Sequence, residues 1–265
     1  MTESNMYVLQ ILQKYNARNI ANYSSPISQL KSTLQTWASS CYVNILDSGS
    51  RAKGTAISLA SDIDYLVSLT SECNENSGGL KSIYDSLYSK LNSNYQSNYQ
   101  NVRKQNVSVR INLGGLEVDI TPARKQIGNT NDHWLYISKL DTRKQTNIQR
   151  HITDVSGSGR TNEIKLLKIW RELNQLDFSS IYLEYLLINN VLLNKSKDMN
   201  NLADNFWYVL QELAKDSGNP LFARVVDPAN SNNILSDLLT VAEKNKIIAK
   251  AKITVGQQTW ENVVW

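Results

Sequence analysis

The sequence predicts an α/β protein of the α+β type, with a mixed sheet in the first part of the chain and helices in the second. Short apolar strands and amphipathic helices alternate up to about residue 122, residues 123–160 are poorly patterned, and from residue 162 apolar residues recur at helical spacing. The segment Ser156-Gly157-Ser158-Gly159 is a flexible break between these two patterns. We therefore expect two lobes, formed by residues 1–155 and residues 156–265.

The elements of the first lobe follow from the spacing of its apolar residues. Residues three and four apart predict amphipathic helices near 8–15, 27–41 and 83–95. A short apolar strand, residues 42–46, leads into a glycine-containing turn, and a second strand is expected over residues 62–69. A strand that leads through a glycine turn into a helix is the context that a phosphate-binding loop requires.

Strict alternation of apolar and polar residues predicts a β-hairpin around Gly114-Gly115. If this glycine pair is the loop, Leu113 faces Leu116 and Arg110 faces Asp119. Asp119 then leaves the sheet on the polar face. Taken by itself, this position is typical of a solvent-facing aspartate paired with Arg110.

Asp62 and Asp64 stand two residues apart at the head of the second strand, so both side chains leave the sheet on one face. Neighbouring carboxylates repel each other unless a cation lies between them, and hard divalent ions such as Mg²⁺ prefer oxygen ligands. An Asp-x-Asp pair is also common in loops that hold no metal. Just upstream, Gly49-Ser50 can offer backbone N–H groups and a hydroxyl to a phosphate.

Three short segments together resemble, in their order and spacing, the nucleotidyltransferase motif of the DNA polymerase β-like superfamily. They are Gly49-Ser50, Gly54-Thr55 and Ser61-Asp62-Ile63-Asp64. That resemblance implies a third carboxylate from a later strand, and Asp119 matches its place. The three aspartates would then be catalytic and would bind Mg²⁺, with Mn²⁺ as an alternative. Gly49 and Ser50 would hold phosphates of a nucleoside triphosphate.

Residues 166–170 (Leu-Leu-Lys-Ile-Trp) and residues 179–187 resemble two helices of the 2′-5′-oligoadenylate synthetases and cyclic-dinucleotide synthases. In those enzymes the lysine two positions before the tryptophan reaches the triphosphate, and a serine that opens the next helix contacts the nucleotide. The resemblance therefore implies nucleotide-binding roles for Lys168 and Ser180. From the residues alone, Lys168 also fits a solvated helix face and Ser180 a helix N-cap.

The resemblance runs from about residue 42 to residue 239, and in length and lobe order the chain is similar to the bacterial CD-NTases of antiphage systems. It implies a Mg²⁺-dependent nucleotidyltransferase that makes cyclic di- or oligonucleotide second messengers from nucleoside triphosphates. The product would act on a downstream effector. Alternatives are a linear 2′-5′-oligoadenylate synthetase, an RNA- or tRNA-end nucleotidyltransferase, an antibiotic nucleotidyltransferase, and a catalytically idle nucleotide- or RNA-binding module.

The charge of the chain limits its partners only broadly. A net charge of +4 over 265 residues permits an acidic partner without requiring nucleic acid. Basic residues outnumber acidic ones between residues 141 and 171, which suggests either RNA as an activator or substrate attraction with ordinary solvation, and we prefer the second. The basic residues concerned are Arg143, Lys144, Arg150, Arg160, Lys165, Lys168 and Arg171.

Targeting signals are not evident in this sequence. No apolar run approaches the ~20 residues of a membrane span, and the N-terminus lacks the basic start and apolar core of a secretion signal. Cys41 and Cys73 match neither a metal-binding spacing nor a disulfide framework. These observations predict a cytoplasmic protein without a membrane partner.

Overall fold

The structure is a computed structural model that describes residues 1–60, 62–74, 78–96, 101–128 and 130–265. Its helices are α1 (Glu3–Lys14), α2 (Ser24–Ala38), α3 (Gly49–Ala52), α4 (Gly79–Tyr95), α5 (Ile148–Ser156), α6 (Thr161–Leu173), α7 (Ser180–Leu186), α8 (Leu202–Leu213) and α9 (Val241–Val255). Its strands are β1 (Tyr42–Ser48), β2 (Ile63–Leu69), β3 (Val102–Lys104), β4 (Val109–Leu113), β5 (Leu116–Lys125), β6 (His133–Ile137), β7 (Thr142–Thr146), β8 (Val226–Asp227) and β9 (Asn230–Ile234). Among the helices of these ranges, none combines the length and the hydrophobicity that crossing a bilayer demands.

Within the described residues, seven strands form one mixed sheet in the compact unit made of Asn19–Ala52 and Asp62–Ile152. Hydrogen-bonded neighbours follow the order β1-β2-β5-β4-β3, and β6 pairs with both β5 and β7. The pair β2 and β5 is parallel, whereas the other pairs of this sheet are antiparallel. The predicted α+β class with a mixed sheet is therefore confirmed.

Alternating burial fixes the register of the strands that carry the candidate site. One face of the sheet packs its apolar residues against α2 and α4. Burial of such a side chain contributes roughly 1.5–3 kcal/mol, and a slip of one residue would expose the whole set to water. The intervening residues of the same strands leave from the opposite face. The fully buried residues of β4 and β5 include Val109, Ile111, Val118 and Ile120.

The turn between β4 and β5 confirms the predicted hairpin. Gly114 and Gly115 have φ angles of +60° and +93°, as a two-residue turn with left-handed central residues requires. The register pairs Leu113 with Leu116 and Arg110 with Asp119. Asp119 is therefore placed on the polar face by the turn and by the alternation together.

The second compact unit gathers Met1–Arg18, Lys53–Ser61 and Thr153–Trp265. Its apolar core contains side chains from α1, α6, α7, α8 and α9, and α1 packs against α6 and α8. The sequence suggested contiguous lobes of residues 1–155 and 156–265. In the structure, two earlier segments of the chain belong to the same unit as the C-terminal helices.

The cysteine prediction is wrong. Cys41 and Cys73 form a disulfide, with Cα atoms 5.4 Å apart. Cys41 directly precedes β1 and Cys73 follows β2, and these strands are antiparallel neighbours in which Tyr42 pairs with Leu69. Strand pairing thus brings the cysteines together across a sequence separation of 32 residues, and spacing alone carries no sign of it.

Candidate active site

Neighbouring strands present polar residues in one row across the sheet. The register pairs Ser48 with Asp64, Asp64 with Asp119, and Asp119 with Arg110. Cross-strand partners share a face of a sheet, so Asp64 and Asp119 leave β2 and β5 side by side. The sequence predicted the Arg110–Asp119 pairing, and the parallel pairing of β2 with β5 adds Asp64 to it.

Gly49 lies directly against this row. It follows Ser48 at the end of β1 and has a φ of +65°, a conformation that side chains with a Cβ rarely adopt. A Cβ placed on Gly49 would overlap Oδ2 and Cγ of Asp64. Both the turn and the close approach of the Asp64 carboxylate to the backbone therefore require glycine at this position.

Arg110 binds three acidic side chains at once. Its Nε and Nη2 donate to Oδ1 and Oδ2 of Asp119 at 2.8 and 2.7 Å. Nη2 also donates to Oδ2 of Asp62 at 2.8 Å, and Nη1 donates to Oε2 of Glu117 at 2.5 Å. A bidentate guanidinium–carboxylate pair is among the stronger polar contacts in proteins. Arg110 therefore joins two of the predicted catalytic aspartates.

The pKa values reflect this concentration of charge. Burial raises the pKa of Asp62; the attraction of Arg110 opposes the shift, and repulsion by Asp119 and Glu117 adds to it. The hydrogen bond to Asp119 is the largest of the effects that raise the pKa of Arg110, and the nearby carboxylates add to it against the opposing effect of burial. A cation is thus strongly held at this position, whereas Asp62 takes up a proton at a higher pH than an ordinary aspartate does.

The three predicted catalytic aspartates are not arranged as a preformed metal-binding group. In the described part of the chain, no group of three or more His, Cys, Asp or Glu side chains is arranged to hold a metal ion. The Asp62 side chain is 39% exposed and that of Asp119 is 16% exposed. Asp62 and Asp119 meet through the guanidinium of Arg110, and Asp64 lies against Gly49 instead.

A small pocket opens beside Asp64. Its volume is about 230 Å³, and its lining includes Ser48, Arg51, Ala52 and Asp64. The residues that flank the predicted phosphate-binding turn, Ser48 and Arg51, therefore line an open space that two acidic residues, Asp47 and Asp64, also border. Such a mixture suits a triphosphate bound together with a divalent cation.

Lys168 is buried, so the interpretation of a solvated helix face is wrong. It is 2% exposed, and its ammonium group donates to Thr55 Oγ1 at 2.9 Å and to Glu184 Oε1 at 2.8 Å. Lys53 donates to the other oxygen of Glu184 at 2.8 Å. The nucleotide contact that the resemblance implies for Lys168 stays a prediction.

Ser180 is the first residue of α7, and Ser179 is the N-cap, so the N-cap interpretation of Ser180 is wrong. Its hydroxyl accepts a hydrogen bond from Nη1 of Arg171 at 2.9 Å. Arg171 also donates to the carbonyl of Phe178 at 2.6 Å and so holds the start of α7. A nucleotide contact by Ser180 likewise stays a prediction.

Sequence reasoning missed the group formed by Lys53, Thr55, Lys168 and Glu184, which we call the Glu184 cluster. Burial alone would raise the pKa of Glu184, but the attraction of the two lysines outweighs it and holds this pKa below its usual value. A signal was present, because Glu184 is the one acidic residue in the apolar run 181–188. A carboxylate on a buried helix needs a paired cation.

The basic stretch does not form one surface. Arg160, Lys168 and Arg171 are buried, and Arg160 donates to Glu163 at 3.0 Å. Arg143 is exposed and packs over the ring of Trp134 at 4.4 Å from its centroid. Fewer cations are therefore available to RNA than the sequence suggested.

Comparison with protein-family models identifies the family of the chain. Residues 7–157, more than half of the chain, match the model of the Second Messenger Oligonucleotide or Dinucleotide Synthetase (SMODS) domain. The chain belongs to the SMODS family. This family comprises second-messenger oligonucleotide or dinucleotide synthetases, and the predicted synthetase class of the SMODS protein is therefore confirmed.

Solved structures of CD-NTases share the fold of this SMODS protein. CdnC of E. coli MS115-1, in a complex with HORMA-deltaN, is 20% identical with a TM-score of 0.74, over 98% of this chain and 96% of that chain. CdnG of Bradyrhizobium diazoefficiens, in complex with GTP, is 10% identical with a TM-score of 0.73, over 96% and 91%. CdnE of Elizabethkingia meningoseptica, a cyclic dinucleotide synthase with GTP and Apcpp, is 12% identical with a TM-score of 0.66, over 97% and 100%. The predicted resemblance to the CD-NTases is therefore confirmed. No curated protein matches the chain.

Proposed function

We propose that this SMODS protein binds Mg²⁺ through Asp62, Asp64 and Asp119, and that it makes a cyclic di- or oligonucleotide second messenger from nucleoside triphosphates. The observation that carries the proposal is the register of the sheet, in which Asp64 and Asp119 are direct partners on parallel strands. Asp62 is tied to Asp119 through a shared hydrogen-bond donor. The three carboxylates therefore belong to one polar face.

The chemistry of these residues suits a divalent cation. Carboxylate oxygens are the ligands that Mg²⁺ prefers, and Mn²⁺ accepts the same set. A positive group already lies between two of the carboxylates, because Arg110 donates to Oδ2 of both Asp62 and Asp119. The position thus favours positive charge, and a metal ion could bind there once the guanidinium has moved.

Nucleotidyl transfer joins a ribose hydroxyl to the α-phosphorus of a triphosphate and releases pyrophosphate. Bound Mg²⁺ would neutralise the triphosphate and make the attacking hydroxyl more acidic. Asp62 and Asp64 would orient the triphosphate by holding its cations, and Asp119 would lie near the attacking 2′- or 3′-hydroxyl and help to remove its proton. A second transfer within the linear intermediate would close the ring.

Gly49 and Ser50 would hold phosphate groups beside these carboxylates. Because Gly49 has no Cβ, its backbone comes close to Asp64, so a phosphate held by the N–H groups of this turn would lie beside that carboxylate and its cation. The structure places Ser50 in α3, directly after Gly49. Lys168 and Ser180 remain additional nucleotide-binding candidates on the strength of the resemblance.

The proposal is tested by Asp64→Asn, with Asp85→Asn as the matched control. Asp85 is an exposed aspartate of α4 that binds Lys104 at 2.6 Å and has no place in the proposed site. Both proteins would be incubated with Mg²⁺ and all four triphosphates, and phosphatase-resistant products would be identified by chromatography and mass spectrometry. We expect the control to make product and Asp64→Asn to make none while its circular dichroism spectrum is unchanged. Undiminished synthesis by Asp64→Asn would refute the assignment, and a phosphatase-sensitive product would indicate a linear oligonucleotide.

We also propose that the enzyme works in the cytoplasm as part of an antiphage system, where its product acts on a downstream effector. RNA is retained only as a candidate activator, since an RNA surface would have to rely on residues such as Arg143 and Lys144. Reversing both charges should abolish any salt-sensitive RNA binding. Binding that survives this double reversal would exclude that surface.

A further inference from the structure

We infer that Arg110 competes with divalent cations for the carboxylates of Asp62 and Asp119, and thereby sets the metal affinity of this site. The inference rests on the proposed function, because it assumes that these carboxylates bind metal. It adds a residue that the three-aspartate assignment does not include. Arg110 acts through Asp62 and Asp119 and is a positioning residue in this account.

The geometry places the guanidinium on the same oxygens that a metal would need. Nη2 of Arg110 lies 2.8 Å from Oδ2 of Asp62 and 2.7 Å from Oδ2 of Asp119. Nε covers the second oxygen of Asp119 at 2.8 Å. A Mg²⁺ ion binds carboxylate oxygen at ~2.1 Å, so an ion on the lone pair that Nη2 uses would have to displace it, and an ion elsewhere on either Oδ2 would face a like charge. Metal binding and the Arg110 contacts therefore oppose each other.

A second carboxylate gives the guanidinium a partner when it leaves the aspartates. Nη1 of Arg110 donates to Oε2 of Glu117 at 2.5 Å. Glu117 also binds Arg103 of β3 at 2.7 Å, and its side chain is 32% exposed. The Arg110 side chain is 22% exposed and can change rotamer while it keeps the hydrogen bond to Glu117. Release of Asp62 and Asp119 therefore leaves no charge unpaired.

Another role for Arg110 predicts the opposite result. If the guanidinium only held Asp119 in a metal-ready orientation, its removal would weaken metal binding. If it competes for the same oxygens, its removal leaves Asp62 and Asp119 with uncompensated negative charge, while Glu117 keeps Arg103, and strengthens metal binding. The sign of the change in metal affinity therefore separates competition from simple orientation.

The test is a Mn²⁺ titration without nucleotide, with free Mn²⁺ measured by electron paramagnetic resonance. The variants are Arg110→Gln, Arg110→Lys and, as a matched control, Arg103→Gln, which removes an arginine that binds Glu117 but neither aspartate. We expect Arg110→Gln to bind Mn²⁺ at least about tenfold more tightly than the natural protein, the change that one charge-assisted hydrogen bond represents. Arg110→Lys should fall between the two, and Arg103→Gln should bind nearly as the natural protein does.

Thermal unfolding gives a second readout and checks folding. Without metal, Arg110→Gln should have a lower melting temperature than the natural protein, because three carboxylates lose their shared cation. Mn²⁺ should raise the melting temperature of Arg110→Gln by more than it raises that of the natural protein. Equal or weaker Mn²⁺ binding by Arg110→Gln, together with Mn²⁺ binding that Asp119→Asn abolishes, would overturn the inference and leave the proposed metal site intact. Binding that neither Asp119→Asn nor Asp64→Asn affects would overturn the metal site and the inference with it.

Discussion

Replacing Glu184 by glutamine should destabilise the protein strongly, because this carboxylate pairs with two lysines. Its side chain is 1% exposed, and those of Lys168 and Lys53 are 3% and 11% exposed. Removing one partner of a buried ion pair typically costs about 3–5 kcal/mol, since the other charge stays buried without compensation. Glutamine keeps one acceptor for a lysine, so we expect a loss near the lower end of that range.

The assay is urea unfolding at neutral pH, followed by circular dichroism. Asp85→Asn is the matched control, because Asp85 is an acidic residue of α4 whose side chain is 45% exposed and which binds Lys104, itself 45% exposed. An exposed pair of that kind is worth about 0–1 kcal/mol. A triple variant should regain much of the unfolding free energy that Glu184→Gln loses, because apolar groups can replace a buried ionic group. It combines Lys53→Met, Lys168→Met and Glu184→Leu. A Glu184→Gln loss no larger than that of the control would refute this account.

The pH dependence of the same comparison has a definite sign. The two lysines hold the pKa of Glu184 in the folded protein below its ordinary value of 4.5. The stabilisation is therefore complete above the pKa of the unfolded chain and is lost as the pH falls through the lower folded-state pKa. The difference in unfolding free energy between the natural protein and Glu184→Gln should therefore shrink as the pH falls below 4.5. A difference that grows on acidification would contradict the assigned charges.

Further predictions concern the turn, the disulfide and a buried histidine. Gly49→Ala should lose most synthase activity, because the new Cβ would overlap Asp64. Gly54→Ala is the control and should retain activity, because Gly54 also has a positive φ, +72°, but nothing lies within 4 Å of the new Cβ. Equal activities of the two variants would contradict the close approach of Asp64 to Gly49. Reducing the Cys41–Cys73 disulfide should lower the free energy of unfolding by roughly 3–4 kcal/mol for a loop of this length, and an unchanged urea midpoint with dithiothreitol would argue against the bond. Burial lowers the pKa of His133 below its usual 6.5, so stability is complete above 6.5 and is lost as the pH falls from 6.5 through the lower folded-state pKa. The unfolding of His133→Gln should therefore depend less on pH between 7 and 5, and an identical dependence would exclude this role.

The hairpin shows what the sequence alone could predict. Gly114-Gly115 between two alternating runs fixed both the turn and the register, because a two-residue loop leaves one pairing that buries every apolar residue. The position of Asp119 on the polar face followed directly. Its parallel pairing with Asp64 did not, since contacts between distant strands depend on the whole sheet.

Lys168 shows where sequence reasoning stopped. The helical pattern placed it away from the apolar stripe, which is typical of solvent exposure, but the structure buries it against Glu184 and Thr55. Residues of distant segments provide these partners, and periodicity within one helix holds no information about them. The β6–β7 hairpin also went unpredicted, because its second strand, Thr142–Thr146, contains no apolar residue.

The sequence proposed residues for the candidate site but did not predict the local charge balance around them. The same Arg110–Asp119 pairing was the alternative to a metal site in the sequence, and the structure contains that pairing within a larger carboxylate group. Arg110 occupies carboxylate oxygens that a preformed metal cluster would need. Its position also shows where this face of the sheet favours positive charge. Sequence patterns cannot distinguish these roles, because both place an arginine opposite an aspartate.

The most direct measurement is anomalous diffraction at the manganese edge, from crystals grown with Mn²⁺ and a non-hydrolysable nucleoside triphosphate. The account predicts anomalous peaks ~2.2 Å from carboxylate oxygens of Asp62, Asp64 and Asp119, with the Arg110 guanidinium turned toward Glu117. Peaks bound elsewhere, or a nucleotide bound with Arg110 still between Asp62 and Asp119, would contradict it.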